Sequence, residues 1–237
     1  MSLARMSLAL PDPTDEECPR DEAELRGRTM DSATSFRSMD ESTEADWQRV
    51  CGSIGGDSAG VADLALDMLK RLKGSSLCMP VDPYEHSLQT ATRALRDGAE
   101  EEIVVCALLH DIGDLPAPQN HAEFAAAILR PYVSDESHGV VLLHEIFQGY
   151  HYFAKVGVDR NLRDRFRGHP SFARAAEFCA KWDQAAFDKG YDTMPLAEFE
   201  PMVRRLFARP PYDGNRTPRV EFMGFRINMA PGGATPG

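Results

Sequence analysis

The sequence predicts an all-α fold, a bundle of about seven or eight helices. Three observations carry this. Apolar residues recur at three- and four-residue spacing through the middle of the chain. Proline, glycine and capping residues interrupt the pattern at helix-length intervals. No stretch alternates apolar and polar residues for long enough to make a core strand. With 237 residues, 43% of them hydrophobic and 27% charged, the chain has material for one sizeable core with flanking segments.

Residues 1–40 mix Pro, Asp, Glu, Arg, Ser and Thr with no apolar period and read as a disordered leader. Residues 41–212 read as the helical core, and 213–237, closing on PGGATPG, as a tail. A short ordered stretch near Val220–Ile227 is weakly signalled. Thr43 followed by Asp46 reads as an N-cap with an acidic third position ahead of Trp47. Val61, Leu64, Leu66, Met68, Leu69 and Leu72 then mark a helix that stops at Gly74. Residues 75–83 read as a loop in which Pro80 and Pro83 block helix. A helix runs from about Tyr84 to Asp97 and ends at Gly98. The next opens on Glu100, Glu101 and Glu102, where carboxylates suit the positive helix end. It continues through Ile103–Leu109 into His110 and Asp111 and ends at Gly113. Further helices are expected at 120–130, stopped by Pro131, and at 136–151, 171–188 (capped by Ser171) and 196–208.

Composition excludes several function classes. The formal charge is −11, from 26 Lys plus Arg against 37 Asp plus Glu, which argues against a nucleic-acid partner. The longest apolar runs, such as Ile103–Leu109, are about seven residues where a membrane span needs roughly 20, so no membrane partner is expected. MSLARMSLAL is too short in its apolar part for a secretory signal. Five cysteines (18, 51, 78, 106 and 179) lie scattered without a Cys-x-x-Cys, as expected of reduced thiols in a cytoplasm. CGSIGG (51–56) lacks the lysine of a P-loop, and no G-x-S-x-G occurs.

The histidines carry the chemistry. Six of seven (His86, His110, His121, His138, His144 and His151) fall within residues 86–151. Imidazole is the commonest protein ligand for transition metals, and a bundle interior brings ligands from facing helices together. His110 and Asp111 end a strongly apolar helix, where a bound cation would remove the cost of a buried carboxylate. On these two residues alone, a structural alternative stays open in which Asp111 caps a neighbouring helix and His110 bonds to backbone.

The stretch HSLQTATRALRDGAEEEIVVCALLHDIGD resembles the HD superfamily of metal-dependent enzymes in its HDIG form, His110–Gly113. The resemblance covers roughly residues 80–190. It implies an early ligand, His86, the pair His110 and Asp111, and a late ligand, Asp183 in FCAKWDQAAFD. In the dinuclear branch two further histidines lie between, and His121 and His144 match them. The six would hold two metals, with Asp111 bridging. This set is similar to that of the mixed-valent di-iron oxygenases of the superfamily, which include organophosphonate-degrading oxygenases and myo-inositol oxygenase. The resemblance thus implies two iron ions, Fe(II)/Fe(III), and O₂ with a small-molecule substrate. Asp114 and Gln148 stand where the phosphonate enzymes carry basic residues. That difference disfavours an anionic substrate and suits a hydroxylated or cationic one.

Asp114, Gln148 and His151 are the expected catalytic residues around the metals. His151 lies two turns beyond His144 on the same helix face and can reach the pocket mouth. His138 points away from His144 and His169 precedes Pro170, so neither is expected to be a ligand. Arg204 and Arg205 read as a solvated helix face.

Three functions follow. The first is a di-iron oxygenase that oxidises or cleaves a small hydroxylated substrate, for which a histidine-rich, oxygen-poor ligand set is suited. The second is an HD phosphohydrolase using Mn, Mg or Ni to activate water toward a nucleotide or phosphate ester. That chemistry wants cations, and residues 86–151 hold only Arg93, Arg96 and Arg130 besides histidine. The third is an inactive scaffold, which the retention of all six ligand positions argues against.

Overall fold

The computed structural model describes residues 34–47, 49, 58–75, 78–211, 220–222 and 225–227. Cys18, Cys51, the CGSIGG stretch and most of the expected leader and tail lie outside them. Backbone contacts divide the chain into two units, Met1–Gly56 and Asp57–Gly237.

In the first unit a 3₁₀ turn, Met39–Glu41, leads to the expected cap. The Asp46 carboxylate accepts from the Thr43 backbone N–H (2.9 Å) and hydroxyl (2.8 Å). The Asp46 N–H returns a bond to Thr43 Oγ1, and residues 44–47 are helical.

The second unit holds seven α-helices among its described residues. They are α1 (Ser58–Arg71), α2 (Pro83–Arg96), α3 (Glu101–Leu109), α4 (His121–Leu129), α5 (Asp135–Tyr152), α6 (Phe172–Lys181) and α7 (Leu196–Phe207). An antiparallel hairpin, β1 (Val220–Phe222) with β2 (Phe225–Ile227), pairs Glu221 with Arg226 within the expected tail. No helix among the described residues is long and apolar enough to cross a membrane.

Local punctuation explains the helix ends. Gly74 and Gly98 follow α1 and α2 at φ +76° and +77°, a backbone conformation that costs glycine little. Asp82 caps α2 by accepting from the Glu85 N–H at 2.7 Å. Pro83 does not block that helix; it begins it, because the first turn needs no N–H from it. Helix α3 stops at Leu109 rather than Gly113, and His110–Pro116 form consecutive turns.

The largest departure from expectation is at α6. Its helical spacing suggests 171–188, but the helix ends at Lys181, Trp182 takes φ −118° and ψ −59°, and Asp183–Ala185 form a 3₁₀ turn. Ser171 precedes the helix without capping it; its hydroxyl is buried and has no hydrogen-bond partner. Helix α2 holds the chain beyond the break. The Gln89 amide bonds both the Asp188 carbonyl (2.8 Å) and its N–H (3.2 Å), and Thr92 Oγ1 accepts from the Met194 N–H.

The core explains the packing order. Helix α3 buries every residue from Ile103 to Leu109, so it is apolar all round and sits inside the bundle. It packs against α2, α5 and α7, while α5 packs against α4, α6 and a 3₁₀ segment, Arg160–Phe166. Phe147, Phe178, Phe199 and Phe207 are the largest fully buried side chains. Arg204 and Arg205 lie on the surface, as expected, and pair with Asp63 and Glu101.

Phe178 lies edge-on to both His110 and Trp182, with ring centroids 5.8 Å away in each case. Phe178→Ala should therefore cost about 3–5 kcal/mol of stability. Urea unfolding measures this, and a loss under about 1 kcal/mol would contradict the packing.

Candidate metal centre

Asp111 begins where the buried α3 ends, so its carboxylate stands inside the bundle with 9% of the residue exposed. Imidazoles converge on both of its oxygens. Oδ2 lies 3.1 Å from His110 Nε2 and 3.4 Å from His86 Nε2. Oδ1 lies 3.1 Å from His144 Nε2 and 3.5 Å from His121 Nε2. Within each side the imidazoles also meet, at 3.2 Å for His86 and His110 and 3.3 Å for His121 and His144. Asp183 closes the first side, its Oδ1 3.1 Å from His86 Nε2 and 3.8 Å from His110 Nε2. Two groups, His86–His110–Asp111 and Asp111–His121–His144, thus offer donor atoms within 4.8 Å of one another and share one carboxylate.

Backbone carbonyls set the ring orientations. Nδ1 of His86 faces the Ala186 carbonyl (3.0 Å), that of His110 the Ala107 carbonyl (2.8 Å) and that of His144 the Val141 carbonyl (2.6 Å). An Nδ1–H donated to a carbonyl leaves the Nε2 lone pair free for a metal. His110 and His144 each use the carbonyl three residues earlier, so their own helices aim them. His86 uses a carbonyl of the segment after Asp183, so its orientation depends on the break beyond α6. His121 opens α4, and its position depends on Gly113. A Cβ on that glycine would stand 2.5 Å from the His121 carbonyl oxygen and 2.7 Å from its Cα. The absent side chain lets the turn after α3 lie directly against the start of α4.

Charge distribution follows burial and these contacts. Burial pulls the His86 imidazole down, but the hydrogen bond and charge of Asp183, with Asp111, raise it to about 8. Burial likewise opposes His144, yet Asp111 raises it to about 9. Asp111 is held well below the usual carboxylate range against its burial by His110 and His144, and Asp183 is lowered by His86 and its neighbours. His121 is lowered, mainly by burial. Without a metal, protons on imidazoles balance the buried carboxylates. A divalent cation would replace those protons, so the donor set fits bound metal.

A family model described as the HD domain matches residues 84–165. The match covers about a third of the chain. No curated protein matches it as a relative. The matched stretch holds His86, His110, Asp111, His121 and His144, while Asp183 lies beyond its end and arrives through the fold. HD-domain proteins are metal-dependent enzymes as a group, and these clusters are where this chain can hold metal.

The expected catalytic residues separate. Gln148 donates from Nε2 to Asp183 Oδ1, which makes it a support for that carboxylate. Asp114 is partly buried, 3.8 Å from His121 Nδ1, and burial with the nearby Asp111 charge pushes its carboxyl up to about 7. His151 is partly buried, edge-on to Tyr150, with its Nε2 unpartnered. His169 Nδ1 accepts from the Ser171 N–H and His138 joins neither cluster, as expected. Two participants escaped sequence reasoning. The Cys179 thiol donates to the His144 carbonyl and to Asp183 Oδ2, and its spacing four residues before Asp183 was the available signal. Arg163 comes from an irregular segment outside residues 86–151, and its charge reaches both His151 and Cys179. The count of cations within residues 86–151 stands, and Arg163 adds one from outside that range.

His121→Ala should leave roughly one of two metals, and Gly113→Ala should do the same although it removes no ligand. Elemental analysis of the purified variants checks both; full dinuclear content in either would refute the assignment. The raised imidazoles also imply opposite pH trends. Their charged forms stabilise the metal-free fold fully below about pH 6.5, and this is lost as pH rises through about 8 and about 9. Metals need neutral imidazoles, so the Tm gap between loaded and metal-free protein should widen from pH 7 to 9.5. A gap that narrows over that range would contradict the site.

Proposed function

We propose that this HD-domain protein is a non-haem di-iron oxygenase that uses O₂ to oxidise or cleave a small, hydroxylated polar substrate. The observation supporting it is the single carboxylate of Asp111 shared by two histidine-rich donor groups. Four imidazoles against two carboxylates is a nitrogen-rich set, which suits a redox-active iron better than Mg. Bound iron would supply the electrons that activate dioxygen.

The chain's own residues do the rest. His86, His110 and Asp183 would hold one ion, His121 and His144 the other, and Asp111 both. The Gln148 amide and the Cys179 thiol hold Asp183 in place through its two oxygens. Asp114, raised to about 7 beside His121, can exchange a proton with a substrate hydroxyl near neutral pH. Buried Cys106 and Cys179 are free thiols, which fits a reducing compartment such as the cytoplasm.

A specific observation favours the second reading, a metal-dependent phosphohydrolase using Mn, Mg or Ni. Arg163, whose charge reaches His151 and Cys179, supplies a cation of the kind that phosphate chemistry uses.

Elemental analysis of protein purified without added metal, with an electron paramagnetic resonance spectrum after partial reduction, separates the two. Close to two irons per chain with a coupled Fe(II)/Fe(III) signal is the expected result. Redox-inert metals without that signal would replace oxygenase by hydrolase. A melting temperature indifferent to chelation would exclude both.

A further inference from the structure

Helix α2 carries two cations in its last turn, Arg93 and Arg96, and helix α6 ends on a third, Lys181. A cation suits the negative C-terminal end of a helix. Here both ends open on one pocket of about 370 Å³, lined by these three side chains together with Asp97, Trp182 and Tyr191. None of the six metal-ligand candidates lines it, nor does Asp114, Gln148 or His151. The pocket is a different space from the one between the paired histidines.

Its charges do not balance. Asp97 is the one carboxylate in the lining, and it already accepts from the Trp182 indole at 3.2 Å and meets Lys181 Nζ at 3.4 Å. Lys181 also pairs with Glu177, so it is well supplied. Arg96 reaches Asp192 at 2.8 Å, but that carboxylate is 94% exposed and water screens the pair. Arg93 takes part in no ion pair among the described residues, and its Nε is buried without a hydrogen-bond partner. The Tyr191 ring holds both guanidiniums, that of Arg93 4.0 Å from its centroid and that of Arg96 5.3 Å. Stacking fixes the two forks while leaving their edges able to donate. Two like charges gathered on one ring repel, and a shared anion removes the repulsion.

The wall of this pocket is also the segment that completes the first ligand group. Trp182 immediately precedes Asp183, and Tyr191 bonds back to Asp188 in the turn that follows Ala186. The Ala186 carbonyl faces His86 Nδ1. On α2, Arg93 lies seven residues after His86, on the same face. One turn before Arg93, Gln89 grips the same segment by the Asp188 backbone.

We propose that this pocket is an effector site for a small multivalent oxyanion, of phosphate type or a dicarboxylate, held by Arg93 and Arg96 against Tyr191. Each fork gives paired, charge-assisted hydrogen bonds to such a group, and the pocket admits more than a bare ion. The occupant ties the end of α2 to the segment 182–191, and so steadies Asp183 against His86 from outside the centre. Anion binding and metal occupancy of the first ligand group then strengthen one another by the same factor. That coupling rests on the metal-centre reading; the anion site does not.

Calorimetric titration of the metal-free full chain with sulfate, inorganic phosphate and succinate, against acetate as a monovalent control at constant ionic strength, tests the site. At least one dianion should bind with a submillimolar Kd and more tightly than acetate, and the preference between phosphate and succinate identifies the group. Arg93→Met keeps length for packing on Tyr191 but removes the charge, and should weaken binding roughly ten-fold or more. Arg93→Lys should recover part of the loss, exposed Arg167→Met should bind as wild type, and the Tm of Arg93→Met in chloride should not fall. Sulfate coordinates metals weakly, so it also reads the coupling. With sulfate saturating, wild type should bind Mn(II) several-fold more tightly at one of two sites, and Arg93→Met should show no such gain. No dianion binding, acetate bound as tightly as the dianions, or equal affinity in Arg93→Met would each overturn the site. Mn(II) affinity indifferent to sulfate, in a chain that binds both, would overturn the effector role. A chain that binds sulfate through Arg93 but takes up no Mn(II) would sustain the anion site and overturn the metal-centre reading instead.

Discussion

The Asp111 carboxylate is the constraint on which the rest of the structure depends. A carboxylate taken out of water is tolerated only with counter-charge and hydrogen bonds on its lone pairs. Here four imidazoles supply them, two to each oxygen. Because those imidazoles sit on α2, α4, α5 and the end of α3, satisfying one side chain fixes four pieces of backbone relative to one another. The cost of leaving Asp111 unpaired is what couples the bundle's assembly to the assembly of the site.

Support for this arrangement is spread over segments that contribute no ligand. Helix α2 shows the division of labour most clearly. His86 enters the cluster, while Gln89 and Thr92 on the same helix hold the segment beyond Asp183 by its backbone. That segment returns the Ala186 carbonyl to His86 Nδ1. At the break itself the Trp182 indole donates to Asp97 at the end of α2, so the late carboxylate is tied to the early histidine from both sides. Close approach does similar work elsewhere, with Gly113 against His121 and Gly139 against Ser171 and His169, where side chains would collide.

Polarity differs at the two ends of the ligand set. Asp114 stands beside His121, and the charge of Arg163 reaches Cys179, whose thiol donates to Asp183. The overall charge of −11 does not show this, because among the described residues only Asp111 and Asp183 of the acidic side chains are buried.

The sequence by itself determined the helices and most of the ligands. Caps, prolines and glycines act within a turn or two, so the Thr43–Asp46 cap and the ends at Gly74 and Gly98 are legible one segment at a time. The apolar run Ile103–Leu109 likewise announces a buried helix, and a histidine cluster beside it announces ligands. Tertiary structure alone decided the break at Trp182, the entry of Pro83 into α2 and the arrival of Arg163. The helical spacing of 171–188 is locally satisfactory. It is overridden because Asp183 is pulled to His86, and the chain after it to Gln89, by contacts that span about a hundred residues. Arg163 lies in a 3₁₀ segment with no apolar period, so nothing local indicates which way it faces. Local rules set which backbone forms; long-range pairing of buried charge sets where its side chains meet.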